Sequence, residues 1–249
     1  MRQKDTETRR SGRQGENFFG PPGHLVSLSY FWGKMGEAAI DTDAMKAFAR
    51  EYLARHEPHA ANGRNAWRQN GAARWAHTLR VLATAQKIAR AEGADYDVVT
   101  VAAIFHDVAK LDSEQDEHAL RGAEIARDYL TRAGFSADWI ARACQTIVNH
   151  PAALEFGDKS LPLEDRILRD ADLLDEVGAL EIVWTVMNAG VEAPSYVEAR
   201  TRIAEYDRKT AERTVAKMMT RAGRKLAEQR LKIVNDFIAQ LDEEMGEGA

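Results

Sequence analysis

Cysteine is nearly absent from this chain of 249 residues. Cys144 stands alone, so no disulfide can form within the chain and no metal site can be built from thiolates alone. Long apolar runs are missing as well. A membrane helix needs ~20 apolar residues, and the longest candidate, Leu25 to Trp32, is broken by Ser27, Ser29 and Tyr30. Pro21, Pro22 and Gly23 precede that run and no small-residue cleavage site follows, so it does not read as a signal peptide. There is no basic excess either. Lys and Arg number 34 against 39 Asp and Glu, a net charge of −5, which argues against a nucleic-acid partner. These absences together predict a cytoplasmic protein of a reducing compartment with no membrane partner. Proline is scarce, with none between His59 and His150.

What is present suits a globular core: 45% of residues are hydrophobic and 29% charged. Residues 1–40 stand apart, because Met1 to Gly23 is rich in Arg, Gly, Gln and Glu and nearly free of aliphatic side chains. They read as an extension arm, with Met35 just ahead of the first convincing helix. Residues 41–249 read as one helical domain with a motif core over 72–179. Asp41-Thr42-Asp43 caps a helix carrying Met45, Phe48, Ala49, Tyr52 and Leu53, and Pro58 stops it. Further helices are predicted over Ala72–Glu92, Tyr96–Lys110, Glu117–Arg132, Ser136–His150, Leu163–Asp175 and Gly178–Asn188. The apolar run Val98 to Phe105 also has the composition of a strand, but its length, its alanines and the Asp95 cap favour a buried helix. Residues 196–245 read as two long helices with a break at Gly223. The fold class is therefore all-α, a helical bundle with a helical C-terminal extension.

The chemistry lies in the histidines. Of seven, His77, His106, His118 and His150 each fall in or at the end of a separate predicted helix. Bundles build metal sites in this way, from side chains on facing helices. Asp107 directly follows His106 at the end of an apolar helix, where burial of an unpaired charge costs several kcal/mol and a metal ion offsets it. With Asp172, the set would supply ligands enough for two metals with open positions for water, and imidazole with carboxylate suits divalent Mn, Fe, Co or Ni. Each member also has a plainer reading. His77 could be a core histidine. His118 follows the acidic run Asp112, Glu114, Asp116 and Glu117, as a surface residue would. His150 could cap a helix C-terminus. Asp170 competes with Asp172. Lys110 and Arg80 could be ordinary ion-pair residues, and Lys217, Arg221, Arg224 and Arg230 a solvated helix face. Trp67, Trp139 and Trp184 read as core packing, while Trp75 beside His77 could line a pocket.

The ordered set His77 in Trp75–Val81, His106-Asp107 in Ala103–Lys110, and Asp172 in Asp170–Asp175 resembles the HD-domain metal-dependent phosphohydrolases over roughly Ala72 to Ala179. The resemblance implies an all-helical HD bundle around a buried metal site. It implies that His77, His106, Asp107 and Asp172 hold a first metal, that Asp107 bridges, and that His118 and His150 hold a second, as in the binuclear subset. One or two divalent transition metals per chain follow, with Mn, Fe, Co or Ni ahead of Zn or Mg. It further implies a small phosphorylated metabolite or nucleotide as substrate, with Asp107 catalytic. Lys110 and Arg80, one turn from His106 and His77, are the further catalytic candidates, placed where they could reach phosphate oxygens. Two alternatives stay open. One is a di-iron oxygenase, as some relatives of this kind are. The other is a non-catalytic, metal-stabilised interaction module, whose long C-terminal helices could form a homodimer interface.

Overall fold

Asp41, Asn70 and Asp95 each open a helix by the same device. The side chain of each accepts hydrogen bonds from backbone N–H groups of the first turn: Ala44 at 2.9 Å, Ala73 at 2.8 Å, and Asp97 and Val98 both at 3.2 Å. The computed structural model of the chain describes residues 39–56, 70–113, 117–151, 160–192 and 195–246. The predicted arm, the stop at Pro58 and Trp67 lie outside the described residues, the arm but for its last two positions. Residues 37–249 form one compact unit.

The helices, in chain order, are α1 (Thr42–Arg55), α2 (Gly71–Glu92), α3 (Tyr96–Phe105), α4 (His118–Arg132) and α5 (Ala137–Val148). They continue with α6 (Leu163–Asp175), α7 (Ala179–Glu192), α8 (Tyr196–Arg202), α9 (Arg208–Lys217) and α10 (Arg221–Met245). A single π-helical turn, Ile203–Asp207, joins α8 to α9. Among the described residues there is no strand, and the Val98–Phe105 run is wholly buried helix. No helix there is long and apolar enough to cross a membrane.

The layout centres on α2 and α3. α2 packs chiefly on α6 and α3, while α4 and α5 pair and pack onto α3. One large apolar core joins these helices, with Phe105, Ile88, Ile147 and Leu168 among its buried members. A smaller cluster of Ile182, Ile203, Ala204, Val234 and Ile238 joins α7, the π-helical turn and α10.

Three boundaries differ from the sequence reading, each for a local reason. α3 ends at Phe105 rather than Lys110. The His106 imidazole donates to the carbonyl of Ala103 at 2.8 Å, and Val108, Lys110 and Asp112 bond three residues back rather than four. α7 runs through Gly190 to Glu192, since one helical glycine costs only ~1 kcal/mol against alanine. The C-terminal break falls at Met218–Thr220, and Gly223 lies inside α10. Asp170 of α6 accepts from the backbone N–H groups of Met219 and Thr220 at 2.9 and 2.8 Å and from the Thr220 hydroxyl at 2.7 Å. A Cβ on Gly223 would collide with that same carboxylate and would lie 2.7 Å from the Thr220 hydroxyl oxygen. The glycine marks a close approach, not a break.

Candidate metal centre

Four elements deliver the histidines. His77 lies in the second turn of α2, His106 just past the end of α3, His118 at the start of α4 and His150 just past the end of α5. Gly122 lets α4 come close: a Cβ there would stand 3.0 and 3.3 Å from the carbonyl oxygens of Phe105 and His106. The end of α5 is held by Asp165 of α6, which accepts from the Thr146 hydroxyl at 2.7 Å and from the Asn149 amide at 2.6 Å.

Hydrogen bonds on the far nitrogen aim three of the rings. The Nδ1 of His106 donates to the carbonyl of Ala103 at 2.8 Å, and that of His150 to the carbonyl of Ile147 at 2.6 Å. His77 Nδ1 donates to Asp175 Oδ2 at 2.8 Å. Carbonyls and carboxylates only accept, so Nδ1 carries a proton, and in the neutral ring Nε2 turns a lone pair inward. The inward nitrogens meet in pairs, 3.2 Å apart for His77 and His106 and 3.2 Å for His118 and His150.

Asp107 stands between the two pairs. Its Oδ2 lies 3.6 and 4.0 Å from Nε2 of His77 and His106, and its Oδ1 lies 3.4 and 3.7 Å from Nε2 of His118 and His150. Asp172 Oδ1 joins the first pair, 3.2 Å from His77 and 3.8 Å from His106. Atoms bound to one ion at ~2.1 Å sit ~3.0–3.4 Å apart in octahedral or tetrahedral geometry. The observed spacings approach that polyhedron, and Asp107 with the histidine pair on either side forms two groups that could each hold a metal: His77, His106, Asp107 and Asp107, His118, His150. Imidazole and carboxylate donors without sulfur suit a divalent transition metal. The residues fit the ion.

Asp170 and Asp172 cannot share this task. Two residues apart on a helix, they point ~200° from each other. Asp172 faces the histidines, and Asp170 faces the start of α10.

The local charges are strongly perturbed. Burial pulls the His77 imidazole down, but hydrogen bonds with Asp172 and Asp175 outweigh it and raise the pKa to about 10. Burial wins at His106, which falls to about 4 despite Asp107 and Asp172. Burial pushes the Asp107 and Asp172 carboxyls up, yet the surrounding imidazoles hold both below the usual carboxylate range. Asp175 reaches about 2, with the His77 and Arg80 hydrogen bonds overcoming its burial.

The other expected residues divide. Lys110 joins the cluster, its ammonium 3.2 Å from His118 Nε2 and 3.9 Å from Asp107 Oδ1. Arg80 does not reach it. Its guanidinium forks onto Asp175, with Nε at 2.7 Å from Oδ1 and one Nη at 2.8 Å from Oδ2. Trp75 packs against the core, and Trp184 lines the cavity with the Arg80 guanidinium 5.8 Å over its ring. Trp139 is core packing, stacked on Phe135. Arg230 is no solvated residue: its guanidinium donates to the carbonyl of Leu174 and, at 3.4 Å, to that of Val177, so α10 caps the end of α6.

Two residues escaped the sequence reading. Asp175 orients His77, and its signal was available as a carboxylate one turn beyond Asp172. Arg74 lies one turn before His77, with an Nη 3.4 Å from Asp107 Oδ2. A cavity of about 150 Å³ opens beside them, lined by Arg74, His77, Arg80, Asp175 and Trp184 among others.

Comparison with known proteins agrees with this architecture. The chain is similar to the uncharacterized protein YpgQ of Bacillus subtilis, 28% identical over 178 residues that cover 69% of this chain and 83% of YpgQ. The crystal structure of YpgQ in complex with ADP matches with a TM-score of 0.56 at 23% identity, covering 83% of this chain and 95% of that one. An HD-superfamily hydrolase from Bacillus thuringiensis matches with a TM-score of 0.59 at 23% identity, covering 82% of this chain and 96% of the other. These structural likenesses show the fold. The HD domain profile matches residues 74–176, the stretch that carries the whole histidine and aspartate set. Residues 74–176 of this chain therefore match the HD domain, in a chain whose fold is shared with an HD-superfamily hydrolase.

Proposed function

We propose that this chain is a metal-dependent phosphohydrolase acting on a small phosphorylated metabolite, nucleotides included. One observation carries the reading: the two oxygens of Asp107 face two separate histidine pairs. In this reading His77, His106, Asp107 and Asp172 hold one divalent ion, and Asp107, His118 and His150 hold a second. Bound there, such ions supply an activated water and neutralise charge on phosphoryl oxygens.

The chain's own residues do the rest. The carbonyls of Ala103 and Ile147 and the carboxylate of Asp175 keep three imidazoles in the tautomer that presents Nε2. Lys110 supplies a positive charge beside Asp107 for a phosphoryl oxygen. The buried walls around His106 and His150 hold bulk water back from the centre. The binding of ADP by YpgQ, which shares the fold, supports a phosphorylated ligand.

Metal content per chain, measured on gently purified protein beside His118→Ala, tests the centre. About two ions are expected, falling toward one in the variant. Phosphate release is then assayed on nucleoside mono-, di- and triphosphates and on sugar phosphates. Full activity in Asp107→Ala would refute the assignment.

A further inference from the structure

The cations around the centre are not equally engaged. Arg80 is forked onto Asp175, and Lys110 stands between His118 and Asp107. Arg74 is different. Among the described residues its guanidinium has a single hydrogen bond, 3.4 Å to Asp107 Oδ2, and its Nε is buried with no partner. A guanidinium carries five donors in a rigid fork, so this one is far from satisfied.

Its position is also electrostatically unfavourable. Arg74 sits near the N-terminus of α2, where the helix dipole repels a cation and no acidic residue lies in the first turn to offset it. Its one partner is also not reserved for it. Asp107 Oδ2 is the oxygen that faces His77 and His106. A divalent ion held there would claim that oxygen and leave a cationic side chain beside a doubly charged ion. An anion between the two removes the conflict. Arg74 lines the cavity with His77, which is where such an anion would enter.

We propose that Arg74 grips the terminal phosphoryl group of the substrate, and that metal and phosphoryl group therefore bind cooperatively at this centre. The inference rests on the phosphohydrolase reading and adds to it the residue that selects a terminal, fork-accessible oxyanion. Coupling of this kind is reciprocal: the anion tightens the metal as much as the metal tightens the anion.

The test is calorimetric titration of Mn²⁺ into metal-free protein with and without inorganic phosphate, for wild type, Arg74→Met and Arg74→Lys. In wild type, phosphate is expected to tighten Mn²⁺ binding by about 10- to 100-fold, the range of one or two charge-assisted hydrogen bonds. In Arg74→Met the phosphate effect is expected to vanish, while Mn²⁺ alone binds at least as tightly as to wild type. Arg74→Lys, which keeps the charge without the fork, is expected to keep part of the effect and answers the question if the Met variant fails to fold. Variants that retain the full wild-type phosphate effect would overturn the role of Arg74 alone. Wild-type protein that takes up Mn²⁺ but neither binds nor releases phosphate would overturn the phosphohydrolase reading, and this inference with it.

Discussion

Gly223→Ala is a substitution for which a general rule and this structure disagree in sign. Alanine inside a helix is worth about 1 kcal/mol over glycine, so the change should stabilise a 25-residue helix. Here the new methyl would land on the carboxylate of Asp170 and 2.7 Å from the Thr220 hydroxyl. That carboxylate is a short side chain pinned by three hydrogen bonds of 2.9, 2.8 and 2.7 Å, so it cannot swing aside without losing some of them. Overpacking costs about 1–3 kcal/mol and each charge-assisted bond lost about 1.5–3 kcal/mol, which outweighs the propensity gain. A net loss of about 2–4 kcal/mol is expected, or roughly 5–15 °C in Tm for a domain of this size. Urea and thermal unfolding measure it. In an Asp170→Ala background the carboxylate is gone and only the Thr220 hydroxyl stays close, so Gly223→Ala should lose most of its cost there. A Gly223→Ala protein as stable as wild type, or additivity in the double variant, would show that the close approach of α6 and α10 is not as described.

Three further outcomes are expected. Asp175→Asn removes the charge that orients His77 and anchors Arg80; Mn²⁺ affinity should fall about 10- to 100-fold with the helical content unchanged, and an unaltered titration would count against the orienting role. Metal-free protein should be most stable near the ordinary imidazole value. The raised His77, at about 10, contributes stability that is complete below 6.5 and lost as pH rises toward 10. The lowered His106, at about 4, contributes stability present above 6.5 and lost as pH falls toward 4. Urea midpoints that climb steadily to pH ~9 in the presence of a chelator would contradict this. Asp207, buried in the π-helical turn, has its carboxyl raised to about 6 by burial, against a hydrogen bond from Thr185, and its other oxygen has no partner among the described residues. Asp207→Asn should therefore be at least as stable as wild type at pH 7.5, and a clear drop in Tm would reverse that conclusion.

Much of the architecture was legible because the helix signals are local. Asp41 and Asp95 cap by short-range geometry, and the apolar run before His106 is buried on all sides by neighbouring helices. The residues of the centre were visible as types in order, one histidine to each of four predicted helices. What the sequence hid was relational. Gly223 signals a break by composition, but the glycine answers to Asp170, fifty-three positions away along the chain. Trp75 adjoins His77 in sequence yet points elsewhere, since two helical positions differ by ~200°. Arg80 seemed available to a phosphate until its partner Asp175 was located, and Arg230 could not be told from its solvated neighbours until the carbonyls at the end of α6 were.

Helix α6 assigns its aspartates to different neighbours: Asp165 to α5, Asp170 to α10, Asp172 to the histidines and Asp175 to His77 and Arg80. Each assignment depends on angular position around one axis. Inserting or deleting a single residue in the middle of α6 would rotate everything beyond it by ~100° and shift it by ~1.5 Å. Latch, centre and orienting carboxylate would then fail together, although no side chain had been replaced. Divergence among proteins with this arrangement should therefore proceed by substitution within α6 and by changes of length only in the loops that flank it.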